Sequence, residues 1–72
     1  MADIIIDAKV RHGKPIIAGT RITVDDVFGW LESGMSYAEI KQEYGITTEN
    51  ILAALRYASS LMRGEEVHTI AA

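Results

Sequence analysis

The sequence predicts a mainly α-helical chain, three helices preceded by a small N-terminal β-arm. Three observations predict it. Isoleucines crowd the first quarter of the chain, in Ile4-Ile5-Ile6 and Ile16-Ile17, and turn formers bound them. From Thr23 onward the apolar residues recur with a helical period. A glycine turn, Gly45-Ile46-Thr47, then separates a short capped helix from a longer one, which is the layout of a helix-turn-helix. At 72 residues the chain has room for one domain, divided into an arm (1–22), a three-helix core (23–64) and a tail (65–72).

In the arm, Asp7-Ala8 and His12-Gly13 are the expected turns. Pro15 lacks an N–H and so belongs at a strand start or on an edge. Gly19 marks a bulge or bend. Two strands alone are marginal in water, so the arm needs a surface to lie on or a second copy to pair with.

Val24, Val27, Phe28 and Leu31 fall on one stripe of the first helix. Thr23 is its N-cap, Asp25 and Asp26 complement the helix dipole in its first turn, and Gly34 takes the C′ position. Trp30 lies at the edge of the stripe. Ser36-Tyr37-Ala38-Glu39 reads as a capping box that opens the second helix. Tyr37, Ile40 and Tyr44 form its expected inward face, and Gly45 ends it. The third helix starts at Thr47 or Thr48 and runs to about Arg63. Ile51, Ala54, Leu55, Ala58 and Leu61 or Met62 form its apolar stripe, and Leu52, Ala53 and Arg56 lie on the opposite face. Val67 and Ile70 punctuate the tail, which is either a frayed end or a short partner-binding strand.

Composition narrows the function classes. There is no Cys, which excludes a disulfide-stapled fold and thiol chemistry and is compatible with the cytoplasm. No apolar run approaches the roughly 20 residues of a membrane span. Mean hydropathy is +0.11, too apolar for a disordered chain. The net charge of −3 is unevenly distributed. Residues 8–24 hold Lys9, Arg11, Lys14 and Arg21 and no acid, whereas residues 25–49 hold six acids against Lys41. A local basic segment can hold phosphate or an acidic protein surface, while an acidic whole disfavours non-specific nucleic-acid binding. A solvated hairpin with ordinary surface charges would look the same.

No catalytic constellation emerges, and the chain is expected not to be an enzyme. Gly13-Lys14 lacks the flanking residues of a phosphate-binding loop. His12 and His68 sit in separate segments without ligand spacing. Asp25 and Asp26 point about 100° apart on a helix. Ser59-Ser60 has no triad context. No cofactor, metal or small-molecule substrate is expected.

The candidate DNA-reading face is the third helix, with Thr47, Thr48, Glu49, Asn50, Ala53 and Arg56. Among these, Asn50 and Arg56 are the strong readers, and Glu49 repels phosphate. So few contacts require multiplication by dimerisation, with Lys9, Arg11, Lys14 and Arg21 supplying phosphate contacts. Leu52 points instead to a protein-binding face. Ile4, Ile5, Ile6, Ile16 and Ile17 exceed what one small helical core would cover, so the arms of two copies are expected to pair. The same layout of helices also occurs in bundles with no DNA role.

The run from His12 through Gly13-Lys14-Pro15-Ile16-Ile17-Ala18-Gly19-Thr20-Arg21-Ile22 resembles the signature of a small bacterial and archaeal family, domain of unknown function 433. The likeness continues through Val24–Leu31, Gly34-Met35-Ser36, Glu39-Ile40, Tyr44, and Ile51, Ala53, Ala54, Leu55, Tyr57 and Ala58, spanning about residues 4–62. Ala18 replaces a frequent basic residue, Thr23 a frequent Pro, and Gly45-Ile46 a frequent Pro-containing turn. The resemblance implies a homeodomain-like or winged-helix-like fold, often dimeric, and an antitoxin of a type II toxin–antitoxin pair whose partner is a PIN-like ribonuclease. A basic side chain, Arg63 or one from the arm, would then pair with the toxin's carboxylates, with Leu52, Val67 and Ile70 completing the contact and promoter DNA as a further ligand. A stand-alone DNA-binding regulator and a protein-interaction module without nucleic acid are the alternatives.

Overall fold

A computed structural model describes residues 3–64 together with the backbone of 70–71. The chain is mainly helical, with three helices and a small sheet at its N-terminal end. Strand β1 (Ile4–Ile6) pairs antiparallel with β2 (Pro15–Ile17), Ile4 opposite Ile17 and Ile6 opposite Pro15. Pro15 opens its strand, where a missing N–H is tolerated. A two-residue strand, β3 (Ile70–Ala71), lies parallel along the other side of β1.

The β1–β2 connection is more structured than two simple turns. Asp7 folds it back, its carbonyl accepting from the Val10 N–H and its carboxylate from the Lys9 N–H, both at 2.9 Å. Arg11, His12 and Gly13 then take successive positive φ values of 49°, 58° and 78°. Side chains with a Cβ rarely visit that region, so bonds elsewhere must hold this single left-handed turn. After β2, Gly19 (φ 80°) allows a tight reversal. It is closed by Ile17 and Ile22 across the turn and by the Thr20 hydroxyl, which donates to the Ile17 carbonyl at 2.8 Å.

Three helices follow: α1 (Val24–Glu32), α2 (Tyr37–Tyr44) and α3 (Thr48–Met62). Each starts with a reciprocal cap, in which the N-cap hydroxyl accepts from the N–H three residues on and that residue's side chain accepts from the N-cap N–H. The pairs are Thr23 with Asp26, Ser36 with Glu39, and Thr47 with Asn50. In the second pair, bonds from the Ser36 N–H and side chain hold the Glu39 carboxyl below its ordinary pKa. After α1, Gly34 (φ 96°) lets the Met35 N–H reach back to the Trp30 carbonyl and its own N–H to Leu31.

The core gathers Ile4 and Ile17 of the sheet, Val24 and Val27 of α1, Ile40 of α2, Ile46 of the corner, and Ile51, Ala53 and Ala54 of α3. Phe28, Leu31, Leu55 and Ala58 pack partly buried against it. Two expectations are corrected. Tyr37 and Tyr44 are 38% and 42% exposed, so Ile40 is the one buried residue of α2; Tyr44 instead stacks on Trp30, ring centroids 3.7 Å apart. The apolar stripe of α3 also runs out into solvent, with Leu61 54% and Met62 80% exposed.

At the corner, Gly45 (φ 73°) ends α2 with its N–H on the Lys41 carbonyl. A Cβ there would meet nothing within 4 Å, so Gly45→Ala tests backbone conformation alone. It should cost about 1 kcal/mol, read as a lower urea midpoint with an unchanged m-value.

Candidate nucleic-acid and partner interface

Two helices joined by a three-residue turn form the corner, and Ile46, 2% exposed, plugs it. At the start of α3, Thr47 and Asn50 are engaged in capping each other: the Asn50 N–H donates to the Thr47 hydroxyl at 3.1 Å, and the Thr47 N–H to the Asn50 Oδ1 at 2.9 Å. Thr48 and Glu49 are exposed. Arg56 is exposed two turns on, with its guanidinium 3.8 Å from the Glu49 carboxylate. That pair is open to water and contributes little stability, but it leaves the face close to neutral.

Ala53 lies elsewhere than expected. It is buried in the core, and Leu52 beside it is half-buried. The reason is the number of elements that meet α3, which contacts α1, α2, β1 and β2. Covered from several sides, the helix buries a wider face than its stripe of large residues marks.

The basic segment divides. Lys9, Lys14 and Arg21 are exposed. Arg11 is not available in the same way, because its Nη1 donates to the Arg21 carbonyl at 2.9 Å and to Asp26 Oδ2 at 3.0 Å. The same Asp26 oxygen accepts from the Thr23 N–H at 3.0 Å. Partial burial pushes the Asp26 carboxyl up, but the Thr23 N–H and the Arg11 guanidinium outweigh it and hold the group below its ordinary pKa. Arg11 thus ties the strained loop to the first turn of α1. Sequence spacing gives no hint of this, since the partners are 15 residues apart.

The arm is covered differently from the expectation. Ile4, Ile16 and Ile17 are buried within the single chain, which removes them from the set available to a second copy. The sheet lies on α1 and α3, and those helices cover what a partner arm was expected to cover. Ile5 and Ile6 remain half-buried. Of the partner-binding candidates, Arg63 donates to the Ser59 hydroxyl one turn back, Val67 lies outside the described residues, and Ile70 enters β3 opposite Ile5.

On the α2 side, Met35, Glu39, Gln42, Glu43 and Tyr44 line an open groove of about 350 Å³. Among the described residues, no three His, Cys, Asp or Glu side chains gather as a metal site. His12 is exposed on its left-handed turn, and His68 lies outside the described residues. Among the described residues, no helix is long and apolar enough to cross a membrane.

Comparison with known proteins gives one curated relative, a Mycobacterium tuberculosis (strain ATCC 25618 / H37Rv) protein named "Putative antitoxin VapB45". It is 30% identical over 54 residues, which cover 75% of this chain and 23% of that protein. The chain therefore spans less than a quarter of the relative's length. No solved structure matches significantly. The model of the family described as "Protein of unknown function (DUF433)" matches residues 4–58, from the first strand to the middle of α3, and the chain belongs to that family.

Proposed function

We propose that this chain is a non-enzymatic antitoxin of a type II pair, which binds and inhibits a PIN-like ribonuclease in the cytoplasm and contacts its own promoter as a dimer. The observation that carries the reading is the 54-residue likeness to a protein named as an antitoxin, which extends over three quarters of this chain. The exposed Leu61 and Met62 at the end of α3 support a protein partner, since large apolar side chains in water favour being covered. Leu52, Arg63, Val67 and Ile70 form the partner side in this reading. Ile5 and Ile6 are the arm residues left for a second copy. The α2–α3 corner serves as the helix-turn-helix of a homeodomain-like or winged-helix-like domain.

Co-expression tests it. The chain should co-purify with the product of an adjacent PIN-like reading frame and relieve the growth arrest that this product causes. The absence of both co-purification and relief would remove the proposal.

A further inference from the structure

Lys9 and Lys14 lie on the β1–β2 loop, and Arg21 lies on the following turn, which Arg11 bonds to that loop. The Ile6–Pro15 pair closes the loop that carries both lysines. Within it Gly13 and Ala8 are neighbours across the loop: a Cβ on Gly13 would stand in van der Waals contact with the Ala8 Cα, at 3.9 Å. Lys9 follows Ala8 and Lys14 follows Gly13, so the lysines flank that pair. The Arg11 bond to the Arg21 carbonyl then draws the β2–α1 turn against the same loop. All three cationic side chains are exposed, and none has a salt bridge among the described residues. The face of α3 offers far less positive charge: Arg56 is offset by Glu49, Asn50 closes the helix cap, and Ala53 is buried.

We propose that the β1–β2 loop and the following turn, through Lys9, Lys14 and Arg21, form the phosphate-contacting surface of this chain on double-stranded DNA, with α3 making a minor contribution. This rests on the DNA-binding part of the proposed function and assigns it to a different element. Charge complementarity selects the partner. Duplex DNA carries one negative charge per roughly 1.7 Å of axis, a density suited to three cations presented together on a loop of fixed shape. Asp7, Asp25 and Asp26 border these cations, with Asp26 paired to Arg11. Residues 8–24 nevertheless hold no acid of their own, and repulsion of the acids of α2 and α3 favours docking through this loop.

The test is fluorescence anisotropy of the full chain with a labelled duplex from upstream of its own gene, across a salt series. Binding should appear at low salt and weaken as salt rises. Lys9→Ala, Lys14→Ala and Arg21→Ala should each reduce the slope of log K against log salt by about one. Arg56→Ala should reduce that slope by clearly less than any of the three loop substitutions, because Glu49 already offsets its charge. No binding at low salt, slopes indifferent to the three loop substitutions, or a slope carried by Arg56 would each overturn the assignment. Polyaspartate of matched charge should compete poorly; equal competition would identify an acidic polypeptide as the partner and overturn it as well. The outcome is separable from the toxin test. A chain that relieves growth arrest but binds no duplex keeps its antitoxin role and loses this surface.

Discussion

Ile51→Ala is expected to lower the stability of the fold by about 2–5 kcal/mol. Ile51 has no exposed surface and lies in the core one turn into α3, close after the corner plugged by Ile46. Truncation there removes the transfer free energy of the lost carbons and leaves a cavity. The helices around it are held by their caps and cannot collapse freely to fill it. A chain of 72 residues has a total stability of about 4–11 kcal/mol at ordinary values per residue. The substitution therefore removes a large fraction of it, and thermal unfolding monitored by circular dichroism should shift down by about 10 °C or more. Ile51→Val, which removes one methylene, should cost only about 0.5–1.5 kcal/mol. Equal stability of Ile51→Ala and the parent would mean that α3 does not seat on this core.

The second large effect belongs to Asp26. One carboxylate oxygen serves both the Thr23 N–H and the Arg11 guanidinium. Thr23 is 1% exposed, so in Asp26→Ala its N–H has no water to turn to. A stranded buried donor costs about 1–3 kcal/mol. The exposed part of the Arg11 pair adds less, about 0–1 kcal/mol. The loss should also depend on pH in a definite direction. The native carboxyl is held below its ordinary value, so its contribution is complete above the unfolded-state pKa of about 3.9. The charge-dependent part of it disappears as the pH falls through the native value, whereas a protonated carboxyl still accepts from the Thr23 N–H. Urea titrations should therefore separate parent and Asp26→Ala most widely at neutral pH, with a narrower gap in acid. A gap that stays constant into acid would assign the whole effect to the Thr23 bond and packing, and none of it to charge. Asp26→Asn, which keeps an acceptor for Thr23 and loses the charge facing Arg11, should fall between the two.

What the sequence made legible was local. Ser36 with Glu39 announces its helix because a reciprocal cap is complete within four residues and needs nothing from the rest of the chain. Thr23 marks the start of α1 as a cap-forming residue, while the sequence leaves the start of α3 at Thr47 or Thr48 and does not show the caps that Asp26 and Asn50 complete. Gly34 and Gly45 likewise mark the helix ends, since a left-handed residue is needed there whatever packs nearby. Asn50, expected to read DNA, is claimed by its local bond to Thr47; the other misplacements concern neighbours that come from elsewhere. Ala53 reads as outward on a helical wheel, but the wheel does not show how many elements meet α3. Ile16 and Ile17 read as surplus apolar surface until the sheet is laid on α1 and α3. Tyr37 has the right spacing for an inward residue on a helix too short to bury more than Ile40. The candidate site was legible in composition, through the four basic residues between positions 8 and 24, but not in its division of labour. Which of them would be bound to Asp26 depends on a bond across 15 residues.

The three reciprocal caps have one more consequence. Because each helix boundary is written in its own four-residue cassette, the unit carries its punctuation with it and asks nothing of flanking sequence. Such a segment is portable. A unit whose helix starts are set locally is suited to stand inside a longer polypeptide, and the stretch of the relative that matches this chain is 23% of that protein's length.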